Sequence, residues 1–330
     1  MSVANPGSGP DESSRPPLVS VAVINYKGRE YLQELLGSLR RQTFRDFEIL
    51  LIDNHSQDGS LDLAGRDFPE VRLLPQAKNL GFAPAANLAA RQSNSEFLAL
   101  LNTDLRLDPD WLQELVRTAR KDSSIAAVAS KMRLYHDPQR LNGVGGEMNR
   151  LGFTWDRGMF EEDRGQYDRS AQVFFASAGA ALFRRPLFLK AGAFDERFFM
   201  YHEDVDLCWR FWIMGYQVVT APRAVAYHHF GGSTRKQQGM SWREGIGERN
   251  SLRSILKNLE AYQLPGILWE LLRLPYGPGR KWRQMQAFLW NLIFLPETLR
   301  LRRSIQKRRR RRDRELRYLV VQLRDVPLRL

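Results

Sequence analysis

Along the first part of the chain, apolar positions switch repeatedly from a continuous run to a helical spacing. Leu18 to Ile24 is a Val-rich apolar run closing on Asn25-Tyr26, after which Tyr31, Leu32, Leu35, Leu36 and Leu39 recur three and four apart. Phe47 to Ile52 repeats the run and closes on Asp53-Asn54-His55-Ser56, and Asp58-Gly59-Ser60 opens the next helical piece. Val71 to Leu74 reads as a short strand before Asn79-Leu80-Gly81-Phe82 and an Ala-rich helix containing Asn87. Phe97 to Leu101 then runs straight into Asn102-Thr103-Asp104-Leu105. Beyond it, Pro109 stands where a first-turn proline is tolerated, and Trp111, Leu112, Leu115 and Val116 form a stripe. Strands alternating with helices at this spacing predict an α/β fold with a mostly parallel central sheet flanked by helices.

In such a sheet, Asn25, Asp53, Asn79 and Asn102 stand at strand ends or in the loops just beyond them. Each alone is commonly a turn former or cap. Their recurrence after successive strands fits a nucleotide crevice at the carboxyl edge, where Asp104 would either face a ligand or turn the chain. No Gly-x-Gly-x-x-Gly or phosphate-loop motif is present, which argues against a dinucleotide dehydrogenase or a P-loop enzyme.

The second half is less regular. Ile125 to Met132 predicts a further strand, and Arg133 to Gln172 an irregular excursion over the site. Phe174 to Arg185 packs small residues, Ser177 and Gly179 among them, into an apolar segment, which serves either a close backbone approach or tight core packing. Asp204, Leu207 and Phe211 are helically spaced, so Glu203 and Asp204 fall at a helix start, where the positive end of the dipole is expected to keep a carboxylate ionised. Such a carboxylate can take a proton from a sugar hydroxyl, or Asp204 can simply cap the helix. Asp206 is expected to pair with Arg210 four residues on. Two more strands, Tyr216 to Thr220 and Ala224 to Phe230, are predicted, the latter carrying His228 and His229 ahead of Gly231-Gly232-Ser233.

With 330 residues and 43% hydrophobic content, the chain can bury a sizeable core. Residues 1–17, rich in Ser, Pro and Gly without an apolar core, read as a disordered lead-in, not a signal peptide. The single cysteine, Cys208, excludes an intrachain disulfide and a multi-cysteine metal site, as suits a reducing compartment. Charge is unevenly placed: residues 264–330 hold 17 Lys and Arg against 5 Asp and Glu, whereas residues 1–263 hold 33 against 32. A nearly neutral body with a basic tail suggests a catalytic or binding domain plus an electrostatic anchor.

Taken together, Val19 to Tyr26, Ile52 to Ser60, Asn79-Leu80-Gly81-Phe82, Asn102-Thr103-Asp104 and Glu203 to Leu207 resemble, in order and spacing over residues 18–235, the family-2 glycosyltransferases of GT-A fold. Within that family the chain looks most like the bacterial rhamnosyltransferase-type enzymes of cell-surface polysaccharide assembly. The resemblance implies transfer of a sugar, with inversion, from a UDP- or dTDP-linked donor to a hydroxyl of a lipid-linked or cell-surface glycan acceptor. It implies Asp204 as general base with Glu203 as the fallback. Asp104 and His228 would hold Mg²⁺ or Mn²⁺ on the diphosphate. Asn25, Tyr26, Asp53, Asn54, Asn79, Gly81 and Asn102 would line the nucleotide pocket, and Ser177 and Gly179 would border the donor sugar and acceptor. Asn102 stands where many relatives carry an aspartate, so the cation would depend more on the donor phosphates.

This reading divides the chain into a nucleotide-binding half, residues 18–125, an acceptor half, residues 126–263, and a basic amphipathic helical tail, residues 264–330. In the tail, aromatic residues such as Trp269, Trp282 and Trp290 interleave with Arg273, Arg280, Lys281 and Arg283, and Lys307 to Arg312 is six consecutive cations. The longest apolar stretch, Ala287 to Leu295, falls far short of the ~20 residues of a spanning helix. Aromatic and cationic residues in this pattern suit a helix in the headgroup region of an anionic membrane. The expectation is a cytoplasmic enzyme peripheral to the inner membrane face. A catalytically inactive GT-A-like scaffold is one rival. A basic-tailed nucleic-acid binder is the other, disfavoured because the body lacks phosphate-contacting charge.

Overall fold

The computed structural model describes residues 15–230, 240–274 and 278–321. Its first half is the expected alternation: β1 (Val19–Asn25), α1 (Arg29–Arg40), β2 (Phe47–Asp53), α2 (Ser60–Asp67), β3 (Val71–Pro75), α3 (Phe82–Gln92) and β4 (Phe97–Asn102). The strands pair in parallel in the order β3-β2-β1-β4. Every residue of β1 is buried. Its Val19, Val21 and Val23 pack into one core with Leu32, Leu35, Leu36 and Leu39 of α1, while Ala22 and Ile24 face the opposite core with the alanines of α3. Burial on both faces is why these strands read as unbroken apolar runs.

The sheet continues through β5 (Leu105–Leu107), α4 (Trp111–Ala119), β6 (Ile125–Leu134), β7 (Leu141–Val144), β8 (Gly146–Asn149), β9 (Thr154–Asp156), β10 (Ala180–Arg184), α5 (Arg185–Lys190), α6 (Glu203–Ile213) and β11 (Gln217–His228). Its order is β3-β2-β1-β4-β10-β6-β11-β5, with β7 added on β6. The run through Asp104 divides: β4 ends at Asn102, and Leu105–Leu107 crosses to pair antiparallel with the far end of β11. The two strands expected between Tyr216 and Phe230 are one, with a register shift between Ala221 and Val225. Pro222, which has no N–H for the ladder, lies within that shift. The stretch expected to be irregular contains three strands, and β8 and β9 form a hairpin outside the main sheet.

The remaining chain forms α7 (Met240–Asn258), α8 (Leu264–Arg273), α9 (Pro278–Ile293), α10 (Leu295–Lys307) and β12 (Val320–Val321). These elements pack on the body. Arg253 and Lys257 of α7, 0% and 2% exposed, reach Asp195 at 2.7 and 2.5 Å, and Lys257 also reaches Asp206 of α6 at 3.0 Å. Asp206 makes the expected pair with Arg210 at 2.8 Å. Thr298 and Glu297 of α10 close the network on Arg253 at 2.6 and 2.9 Å. The cations after α10 are partly spent on the body: Arg309 bonds the Asn258 carbonyl and Asp313, and Arg308 the Lys190 carbonyl. No described helix is long and apolar enough to cross a membrane.

Candidate functional site

The carboxyl ends of the parallel strands open onto a cavity of about 420 Å³. Tyr26, Asn54, Asn79, Gly81, Asn102 and Thr103 form its sheet-side wall. Ser177 and Gly179 border it ahead of β10, and Glu203 and Asp204 face it from the start of α6. Asn25 and Asp53 lie beneath this wall instead of on it. Asn25 Nδ2 donates to Asp53 Oδ1 at 2.6 Å and to Ser56 Oγ at 3.0 Å, and Thr103 Oγ1 donates to Asn25 Oδ1 at 3.2 Å. The Asp53 carboxylate also accepts the Ser56 N–H and hydroxyl. The two residues brace the ends of β1, β2 and β4.

Two glycines make the wall possible. A Cβ on Gly179 would sit 2.8 Å from Asn102 Nδ2, and Asn102 N–H donates to the Gly179 carbonyl at 2.8 Å. This is the close backbone approach that the small-residue segment suggested. Gly81 has φ +87°, and a Cβ there would lie 2.4 Å from the Phe199 carbonyl. Its carbonyl accepts from Asn54 Nδ2 at 3.2 Å and its N–H donates to Asn79 Oδ1 at 2.9 Å, and the Phe199 loop approaches it closely because it has no side chain.

The segment leading into α6 is strained. Phe199, Tyr201 and His202 have φ of 64°, 66° and 71°, the left-handed region that costs about 1–3 kcal/mol for a non-glycine residue. Fully buried Asn250 of α7 holds it: Asn250 Nδ2 donates to the carbonyls of Phe198, Met200 and Tyr201 at 3.1, 3.0 and 2.8 Å. This delivers Glu203 and Asp204 to the cavity. Asp204 Oδ2 accepts the Ala178 N–H at 3.0 Å and Oδ1 the Val205 N–H at 2.8 Å. Burial nonetheless raises the Asp204 carboxyl above the usual range, and burial plus the Asp204 charge raises Glu203 further. Desolvation thus works against the helix dipole and the backbone donors at both carboxylates. Burial lowers His202 to about 4, so its ring is neutral.

Asp104 and His228, distant in sequence, are brought together by the pairing of β5 with β11. Asp104 Oδ1 lies 3.4 Å from His228 Nε2, and the Asp104 carbonyl accepts the His229 N–H at 3.0 Å. His228 Nδ1 lies 2.6 Å from Asn142 Oδ1, and a hydrogen on Nδ1 would leave Nε2 as the ligating nitrogen. A carboxylate oxygen and an imidazole lone pair converging in this way fit a divalent cation completed by ligand oxygens. No cluster of three or more ligating side chains is found among the described residues. Gly231-Gly232-Ser233 lies outside them.

Three residues were invisible to sequence reasoning. Asp156 of β9 lines the cavity, with Oδ1 buried and without a hydrogen-bond partner, and burial followed by the Asp204 charge raises it to about 7. It stands in the stretch that carried no periodic signal. Asn142 and Asn250 are ordinary polar residues whose roles appear only through contacts distant in sequence.

A model of the glycosyl transferase family 2 matches residues 20–192. An N-acetylglucosaminyl-diphospho-decaprenol L-rhamnosyltransferase of Mycobacterium tuberculosis is 30% identical over 239 residues, 66% of this chain and 78% of that protein. An O-antigen biosynthesis protein of Myxococcus xanthus is 30% identical over 230 residues, but these are only 18% of its length. A crystal structure of GalNAc-T7 with UDP, GalNAc and Mn²⁺ superposes with a TM-score of 0.61 at 17% identity, covering 83% of this chain and 55% of that one. The fold is GT-A, as the resemblance implied.

Proposed function

Because the chain belongs to glycosyl transferase family 2, we propose that it transfers a sugar, with inversion, from a UDP- or dTDP-sugar to a hydroxyl of a lipid-linked or cell-surface glycan acceptor. The observation that carries the proposal is the cavity itself: the carboxyl ends of parallel strands form one wall and an adjacent carboxylate pair the other. Tyr26, Asn54, Asn79, Gly81 and Asn102 contact the nucleotide part of the donor, and Ser177 and Gly179 border its sugar. Asn25 and Asp53 act from beneath by fixing the strand ends. Asp204 accepts the proton of the attacking hydroxyl; its raised pKa makes it a stronger base than an exposed carboxylate once deprotonated. Glu203 is the fallback base. The named rhamnosyl transfer of the Mycobacterium relative supports a rhamnosyl donor and a lipid-linked acceptor here.

Mg²⁺ or Mn²⁺ belongs to this reading, held by Asp104 and His228. When bound, such a cation supplies positive charge for the departing diphosphate. The convergence of Asp104 Oδ1 and His228 Nε2 at 3.4 Å supports it.

The enzyme works at a membrane surface in this reading, on the inner face. Its support is the exposed side of α8 and α9, which carries Trp269, Leu272, Trp282, Met285, Leu289 and Leu292 beside exposed Arg273 and Lys281. Nucleic acid is not a partner in this reading.

The decisive experiment incubates the protein with UDP- and dTDP-sugars, Mg²⁺ or Mn²⁺ and a prenyl-diphosphate-linked sugar, and follows release of nucleoside diphosphate. Release with at least one donor is expected. No release and no binding with any donor would overturn the enzyme reading, and salt-sensitive RNA binding in its place would favour a nucleic-acid binder.

A further inference from the structure

A second cavity, of about 380 Å³, lies beside the catalytic one and shares Thr154, His202 and Gly247 with it. Its character is different. Leu151, Phe153, Leu252, Ile255, Leu271 and Phe288, contributed by the β8–β9 hairpin, α7, α8 and α9, make its wall more apolar than that of the first cavity. A nucleotide or a free sugar, each rich in groups that need hydrogen-bond partners, would be poorly served there.

One side of this cavity is charged. Arg280 lies 3.1 Å from Glu248, and Arg283 lies 2.6 Å from Glu244, whose side chain is 48% exposed. An ion pair to so exposed a carboxylate contributes little and is readily exchanged. Arg283 Nε, by contrast, is buried with no hydrogen-bond partner, a donor that costs free energy until something accepts from it. Glu248 Oε2 is likewise buried without a partner, while its Oε1 is held by Arg280.

Two of the helices that line the cavity also carry exposed apolar residues. Leu271 of α8 and Phe288 of α9 line it from within, while Leu272 and Leu289, their neighbours in sequence, are 57% and 53% exposed on the outer side. A chain lying between these helices would pass from one apolar surface to another and end beside His202, which precedes the carboxylate pair. The ligand that matches an apolar wall, an unspent guanidinium donor and an opening to the catalytic cavity is an amphiphile with an anionic junction.

We propose that this cavity holds the isoprenoid segment next to the diphosphate of a prenyl-linked acceptor, with Arg283 donating to the diphosphate and Leu252, Ile255 and Phe288 packing on the chain. This rests on the glycosyltransferase reading and names the part of the acceptor the protein grips. The sugar attached beyond the diphosphate then lies toward Thr154 and His202, the residues common to both cavities.

The test uses the full chain and three probes, farnesyl diphosphate, farnesol and inorganic pyrophosphate, titrated by intrinsic tryptophan fluorescence. Farnesyl diphosphate should bind at least tenfold more tightly than either of the others. Arg283→Gln should lose at least fivefold for farnesyl diphosphate and nothing for farnesol, whereas Phe288→Ala and Ala287→Trp should weaken both, with circular dichroism confirming the fold. A benzophenone-bearing farnesyl diphosphate should cross-link wild-type protein within residues 247–255 or 284–288, undiminished by excess UDP; this reading is independent of whether any variant folds. Pyrophosphate binding as tightly as farnesyl diphosphate, cross-links elsewhere, or displacement by UDP would overturn the proposal. Titrating UDP and dTDP in the same preparation separates the two readings. Farnesyl diphosphate binding without nucleotide binding keeps the cavity and removes the enzyme, and the reverse removes the cavity alone.

Discussion

Asp204 and Glu203 occupy one helix start, yet only Asp204 receives two backbone N–H groups, from Ala178 and Val205, so the negative charge is better tolerated there. Asp204→Asn is expected to cut transfer by about 10²–10⁴-fold with donor affinity nearly unchanged, measured as kcat and KM for nucleotide release. As the proposed base with a raised folded pKa, Asp204 predicts that activity will rise with pH through a limb above the ordinary carboxylate value of about 4. Glu203, raised further than Asp204, is still protonated while Asp204 titrates, so Glu203→Gln should leave that limb nearly in place. Asn250 acts one step removed, through the backbone it holds. Asn250→Asp, similar in volume but without the Nδ2 donor, should lower kcat more than donor KM and cost about 1–3 kcal/mol in urea unfolding. A kcat unchanged with Asp would remove Asn250 from site positioning. The carboxylates were legible because they sit at a motif on a helix start; Asp156 and Asn250 were not, because one lies in an aperiodic hairpin and the other among the buried positions of a helix, with partners about fifty residues earlier for Asn250.

At the scale of elements, α7 is what fixes α6 in place, although it lies beyond the residues matched by the family model. Burial alone would raise Asp195 and Asp206, but Lys257 with Arg253 and Arg210 holds both below the usual carboxylate range. A depressed folded pKa contributes stability above the unfolded value, and that contribution is lost as pH falls through the folded one. Stability should therefore decline on acidification below about pH 4. Lys257→Met leaves two buried carboxylates short of a cation; about 3–5 kcal/mol should be lost at neutral pH, and the acid midpoint of a thermal-melting series should move upward. The sequence revealed the local Asp206–Arg210 pair because four residues make one helical turn. It could not reveal Asp195 or Lys257, whose contacts bridge more than fifty residues. The same distinction explains why successive βα units could be read directly while the antiparallel insertion of β10 between β4 and β6 could not.

For the whole molecule, the basic segment is not a separate charged arm. Arg308 and Arg309 bond backbone carbonyls of the body, while Lys307, Arg310 and Arg312 are among the exposed cations of the segment. In the proposed membrane reading, contact would depend at least as much on α9, where Trp282, Met285, Leu289 and Leu292 follow a helical repeat along one exposed side. Replacing Trp282 and Leu289 together by Asp should reduce co-sedimentation with anionic liposomes at least tenfold with little change in melting temperature. Equal sedimentation would rule this face out as the membrane contact.

The pairing of Val320 and Val321 with Met148 and Asn149 places a late stretch of the chain beside the hairpin that contributes Thr154 and Asp156 to the cavity. During synthesis the βα units can assemble as they emerge, but that hairpin lacks its neighbouring strand until the ribosome has passed residue 321. A nascent chain therefore acquires its finished roof only after α8, α9 and α10 have also been made.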